Sequence, residues 1–107
     1  MINPLLRGEF EAQRDALGTL CRKHGVASLD LFGSGTTENW RPAESDLDFV
    51  VAFRAQSSRG IADRYLGLAE DLEALFGRRV QLLTARAIRN PYFRQSVDAT
   101  RASIYAE

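Results

Sequence analysis

Apolar residues recur along this chain in two rhythms. Phe10, Leu17, Leu20 and Cys21 fall near one face of a helix, with charged residues between them. Asn3 and Pro4 supply a cap and a first helical position, and Gly25 a stop. The pattern predicts one helix between those limits. Arg22-Lys23-His24 then lie at its negative pole, so His24 reads as a surface residue that compensates the dipole, and Cys21 as a small core residue. Ile61, Tyr65, Leu68, Leu72 and Leu75 repeat the helical spacing up to Gly77 and predict a second, core-facing helix, with Ser57-Ser58 as candidates for its cap.

Shorter apolar runs bounded by turn residues predict strands at Val26 to Phe32, Leu47 to Phe53 and Val80 to Thr84. Thr36 to Pro42 reads as a short helix behind a glycine turn, with Trp40 either a hydrophobic plug or a surface for a partner. A short helical piece follows near Ala85 to Arg89, then a helix that starts at Asn90-Pro91 and runs towards Asp98. Ala102 to Tyr105 is the expected edge strand. Strands alternating with helices define an α/β (α+β) class, a small central mixed sheet flanked by helices.

Composition narrows the function. A chain of 107 residues is expected to form a single domain over 1–107, with 45% hydrophobic and 26% charged residues as in a globular protein. Lys+Arg and Asp+Glu balance at 14 each, so the total charge carries no footprint for direct nucleic-acid binding. One cysteine permits neither an intramolecular disulfide nor a cysteine metal cluster. With no apolar run of membrane-crossing length and no signal-peptide pattern at Met1-Ile2-Asn3-Pro4, the expected location is the cytoplasm, away from the membrane.

The candidate chemistry lies between Leu31 and Phe53. Gly33-Ser34-Gly35 follows the apolar run at once, and glycine lets backbone N–H groups turn inward and approach a phosphate. Asp46 and Asp48 flank Leu47, so on a strand they share one face about 7 Å apart. Two carboxylates aimed the same way can hold one divalent cation or bridge two. A charge at Asp48, between Leu47 and Phe49-Val50-Val51, is costly on a half-buried strand; a bound cation or an open sheet face would each relieve it. Asp30 is read as structural.

Gly33-Ser34 followed by Ser45-Asp46-Leu47-Asp48 resembles the Gly-Ser and Asp-x-Asp signature of the DNA polymerase β-type nucleotidyltransferases. The short length, Ser-Asp-Leu-Asp-Phe and Arg89-Asn90-Pro91-Tyr92-Phe93 resemble the minimal nucleotidyltransferases, antitoxins of HEPN toxin–antitoxin pairs. The likeness runs from about Val26 to Tyr105. It implies that phosphates lie over Gly33 and Ser34, that Asp46 and Asp48 hold Mg2+, and that AMP passes from ATP to a tyrosine hydroxyl of a HEPN-type RNase toxin. The family's third carboxylate falls at Gln81, which is neutral and cannot act as a base near pH 7. The loop Gly35-Thr36-Thr37 also lacks the arginine many relatives carry. Two functions follow: an adenylyltransferase weakened by Gln81, or an antitoxin that neutralises its toxin by binding alone. Arg86, Arg89, Arg94 and Tyr92 are candidates for contact with a partner or the nucleotide, or else arginines of a solvated helix face with Tyr92 and Phe93 packed inward.

Overall fold

A computed structural model describes residues 2–41, 44–54 and 60–107. Two helices open the chain, α1 (Pro4–Ala12) and α2 (Arg14–Lys23), followed by strand β1 (Val26–Phe32). A 3₁₀ turn (Gly33–Thr36) leads on towards β2 (Leu47–Phe53), helix α3 (Ile61–Phe76) and β3 (Val80–Thr84). A second 3₁₀ turn (Ala85–Ala87), helix α4 (Pro91–Thr100) and β4 (Ala102–Ala106) complete it.

The sheet order is β3-β2-β1-β4, with β2 and β3 parallel and the other two pairs antiparallel. The parallel pair needs a crossover, and α3 supplies it. Alternation along β2 sorts its residues cleanly. Leu47, Phe49 and Val51 enter the main core with Leu6 and Phe10 of α1, Leu17 and Cys21 of α2, and Leu68, Leu72 and Phe76 of α3. Phe10 stands edge-on to Phe49 and Phe76, with ring centroids 6.4 and 5.1 Å away, a favoured aromatic geometry. Burial pushes the Cys21 thiol up to about 12, as expected of a core cysteine, with Arg22 opposing. On the other face, Phe32, Val50, Ile88 and Val97 form a smaller cluster under α4.

Three expectations are corrected. The first helix is interrupted at Gln13, whose φ of −101° and ψ of 11° leave the helical region. On either side of the break, Phe10 of α1 packs against Phe49, while α2 packs against β1 and α3. His24 is not a surface residue. It is 9% exposed, and a Cβ on Gly67 of α3 would come within 2.7 Å of its ring. The His24 Nε2–H donates to Asp71 Oδ2 at 2.6 Å and holds that carboxyl below its usual range. Finally, no helix forms over the described part of Thr36 to Pro42. The chain is already extended at Thr37, because the Thr36 and Thr37 hydroxyls bond back to the carbonyls of Gly33 and Ser34 and close the turn.

Trp40 is the plug, not a partner surface: it is 4% exposed in the main core, with Arg78 over its ring at 5.3 Å. Asp30 accepts from Arg101 at 2.8 Å, a structural pair as expected. Pro42 and Ser57-Ser58 lie outside the described residues. No helix among the described residues is long and apolar enough to cross a membrane.

Candidate active site

The end of β1 and the start of β2 meet in register, Phe32 opposite Asp48. Directly beyond Phe32 the chain turns at Gly33 with φ of +73°, the left-handed region that glycine alone enters freely. The turn needs glycine for a second reason. A Cβ at Gly33 would stand 2.7 Å from Asp48 Oδ2, so the missing side chain is the space the carboxylate occupies. The sharp turn therefore seats one aspartate against the glycine backbone.

Asp48 is half-buried, on the β2 face opposite the main core. Its carboxyl is raised above the usual range, first by burial and then by the negative charge of Asp46. Asp46 itself precedes the ladder, which begins at Leu47, and is exposed; its place beside Asp48 comes from the lead-in segment and not from the strand pleat. On the other side, β3 places Gln81 as the register partner of Asp48, on a neighbouring strand about 4.8 Å away, and Gln81 is exposed. The structure thus brings together Gly33, Asp46, Asp48 and Gln81. Ser34 lies in the turn beside them, and its carbonyl accepts from the N–H and hydroxyl of Thr37.

A half-buried carboxylate, pressed by a second one and set against a glycine without Cβ, suits a hard divalent cation, which prefers oxygen ligands and offsets both penalties. Among the described residues, no cluster of three or more His, Cys, Asp or Glu side chains could hold a metal, so Asp46 and Asp48 stand without a third acid.

The turn is tied down from three directions, none of which the reading of the residue pattern named. Asn3, expected only as a helix cap, accepts from the Leu5 N–H at 2.9 Å and also donates through Nδ2 to the Thr37 carbonyl at 2.6 Å. Its own N–H donates to the Gly35 carbonyl at 2.9 Å. The Thr36 hydroxyl donates to the Gly33 carbonyl at 2.8 Å. From the last turn of α4, the Thr100 hydroxyl oxygen accepts from the Gly33 N–H at 3.3 Å. A hydroxyl three residues after a glycine is a recognisable turn signal, whereas Thr100 lies 67 positions away and leaves none.

The candidate arginine group separates. Arg94 donates to the carbonyls of Ala85 and Ile88, and so holds the preceding turn onto α4. Arg86 and Arg89 are exposed. Tyr92 does not pack inward but is 81% exposed, while Phe93 stands edge-on to Phe32 with centroids 6.2 Å apart.

A four-stranded mixed sheet that sets a glycine turn against a strand-borne carboxylate defines a small nucleotidyltransferase domain. The nucleotidyltransferase domain family matches residues 14–102, and the chain belongs to it. Two candidate protein adenylyltransferases of Methanocaldococcus jannaschii are similar in sequence. One is 37% identical over 76 residues, covering 71% of this chain and 74% of its own; the other is 32% identical over 79 residues, covering 74% and 76%. A solved structure of a candidate minimal nucleotidyltransferase superposes with a TM-score of 0.69 at 32% identity, over 86% of this chain and 89% of that one. The fold is shared with the antitoxin in a complex with a tri-AMPylated HEPN toxin of Shewanella oneidensis. There the TM-score is 0.61 at 17% identity, over 92% of this chain and 73% of that one.

Proposed function

We propose that the chain is an antitoxin-type protein adenylyltransferase that transfers AMP from ATP to a tyrosine hydroxyl of a HEPN-type RNase toxin. The observation that carries the reading is the approach of Asp48 to Gly33, which sets a carboxylate against a glycine turn. The likeness to candidate protein adenylyltransferases supports protein as the acceptor, and the tri-AMPylated toxin bound to a fold relative supports the toxin.

In this reading Gly33 and Ser34 cradle the phosphates, and Asp46 and Asp48 hold Mg2+. The cation, when bound, neutralises phosphate charge and polarises the oxygens around the α-phosphorus. The acceptor oxygen bonds to the α-phosphorus, the bond to the α–β bridging oxygen breaks, and pyrophosphate leaves with that electron pair. The hydroxyl proton passes to water, because Gln81 can offer an oxygen but cannot take a proton near pH 7. General-base help is worth about 10²–10⁴ in rate, so transfer is slow beside that of a relative with a carboxylate there.

Gln81 also favours a second reading, in which the chain neutralises its toxin by binding alone. Both are tested by label transfer from α-labelled ATP with Mg2+, using the chain and the product of the neighbouring gene. Label on a tyrosine of that product, lost in Asp46→Asn/Asp48→Asn, is the expected result. A stable complex without label overturns the enzyme reading and favours binding alone. Gain of label in Gln81→Asp would then identify the missing group.

A further inference from the structure

The two ends of the Gly33 residue are each held by a threonine hydroxyl from a different part of the chain. Thr36, 8% exposed, reaches back three residues and donates to the Gly33 carbonyl at 2.8 Å. Thr100 closes α4 and donates to the carbonyls of Ser96 at 3.2 Å and Val97 at 3.4 Å. A hydroxyl has one proton and two lone pairs. With that proton committed to the helix, its lone pair faces the Gly33 N–H at 3.3 Å. The polarity of the bridge is therefore set: helix carbonyl, threonine hydroxyl, glycine N–H.

What the bridge holds in place is more than a turn. Asp48 Oδ2 fills the volume that a Gly33 side chain would take, so the carboxylate lies close against the Gly33 backbone. A shift of that backbone therefore bears directly on the seat of Asp48. The Thr100 oxygen keeps the Gly33 N–H aimed and satisfied.

We propose that Thr36 and Thr100 are positioning residues for nucleotide binding: their hydroxyls fix the Gly33 peptide and, through it, the Asp48 carboxylate. The inference rests on the reading of this site as a cation–phosphate site, and it adds α4 to the elements that build it.

The test measures binding of Mg2+ with α,β-methylene-ATP, in which the bond to be cleaved is blocked, by calorimetry on the full chain. Thr100→Val and Thr36→Val keep shape and lose the hydroxyl; each should weaken binding roughly three- to tenfold, the worth of one ordinary hydrogen bond. Thr100→Ser and Thr36→Ser should restore it. Thr19→Val is the control, since the Thr19 hydroxyl makes the same back-bond to the Asp15 carbonyl at 3.0 Å on α2. It should cost similar fold stability and leave affinity unchanged. In amide NMR spectra of the free chain, the Gly33 resonance should move in Thr100→Val and return in Thr100→Ser.

Native affinity in both valine variants, with binding lost in Asp48→Asn, overturns the positioning role and leaves the site intact. An unmoved Gly33 amide does the same. Equal losses in the valine and serine variants overturn it too, because the hydroxyl would then not be the cause. If the unsubstituted chain does not bind the complex at millimolar concentration, the site reading itself falls and takes this inference with it.

Discussion

Gly33→Ala separates backbone strain from damage to the site. At φ of +73° a residue with a Cβ costs roughly 1–2 kcal/mol. For a domain of this size each kcal/mol shifts Tm by about 4–8 °C, so Tm should fall by roughly 5–15 °C. The new methyl would also stand 2.7 Å from Asp48 Oδ2, closer than carbon and oxygen approach without bonding, so the carboxylate must move by several tenths of an ångström. Misplacement on the scale of 1 Å can cost about 10² in rate, and Mg2+ affinity should fall with it. Gly77→Ala is the matched comparison. Gly77 has φ of +62° at the end of α3, and a Cβ there meets nothing within 4 Å. It should lose similar stability while keeping cation affinity and label transfer. Thermal unfolding together with Mg2+ titration measures both properties on the same samples. If Gly33→Ala and Gly77→Ala lose Tm equally and both keep native Mg2+ affinity, the coupling of Gly33 to Asp48 is wrong.

Three further outcomes follow from the packing and the charges. Asp48→Asn should raise Tm in EDTA at pH 7 and abolish the stabilisation that Mg2+ gives the unsubstituted chain. The carboxyl is raised by burial and by Asp46, so the folded state holds its proton more tightly than the unfolded one and ionised Asp48 costs stability above that range; an unchanged or lower Tm would count against it. Asp71 is displaced the other way, lowered first by the hydrogen bond from His24. Its contribution is therefore present above the ordinary carboxyl range and is lost as pH falls through the depressed folded value. Urea unfolding between about pH 3 and 7 should show a shallower acid loss in Asp71→Asn, and identical profiles would refute the pairing. Phe10→Ala should cost about 3–5 kcal/mol, since it removes one ring from a trio with Phe49 and Phe76; a loss under 1 kcal/mol by the same assay would mean that α1 does not seal the core.

The residue pattern alone determined much of the frame. Strands at Val26–Phe32, Leu47–Phe53 and Val80–Thr84 follow from apolar runs between turn residues, and their limits agree with the structure. Asn3-Pro4 and Asn90-Pro91 both start helices, with the asparagine oxygen accepting from the first-turn N–H groups as the residue types imply. Gly33, Asp46 and Asp48 were also marked locally, by a glycine turn and an Asp-x-Asp at a strand start, whereas Gln81 entered only through the family resemblance. These features depend on neighbours a few residues apart, which periodicity and capping report directly.

Tertiary structure decided the rest, for one reason: each remaining feature depends on a partner far along the chain. His24 looks like a helix-end surface residue until α3 brings Gly67 and Asp71 against it. The expected helix after Gly33 loses to a turn closed by threonine hydroxyls and anchored to Asn3, with Trp40 drawn into the core. Asp46 and Asp48 were placed together by strand alternation, yet Asp46 reaches its place from outside the ladder. Glycine at position 33 is marked by its turn, but that its absent side chain is the seat of Asp48, or that Thr100 holds its N–H, appears only once strands and helix are packed. Local pattern sets what each segment can form; only non-local packing sets which backbone groups and charges end up facing one another.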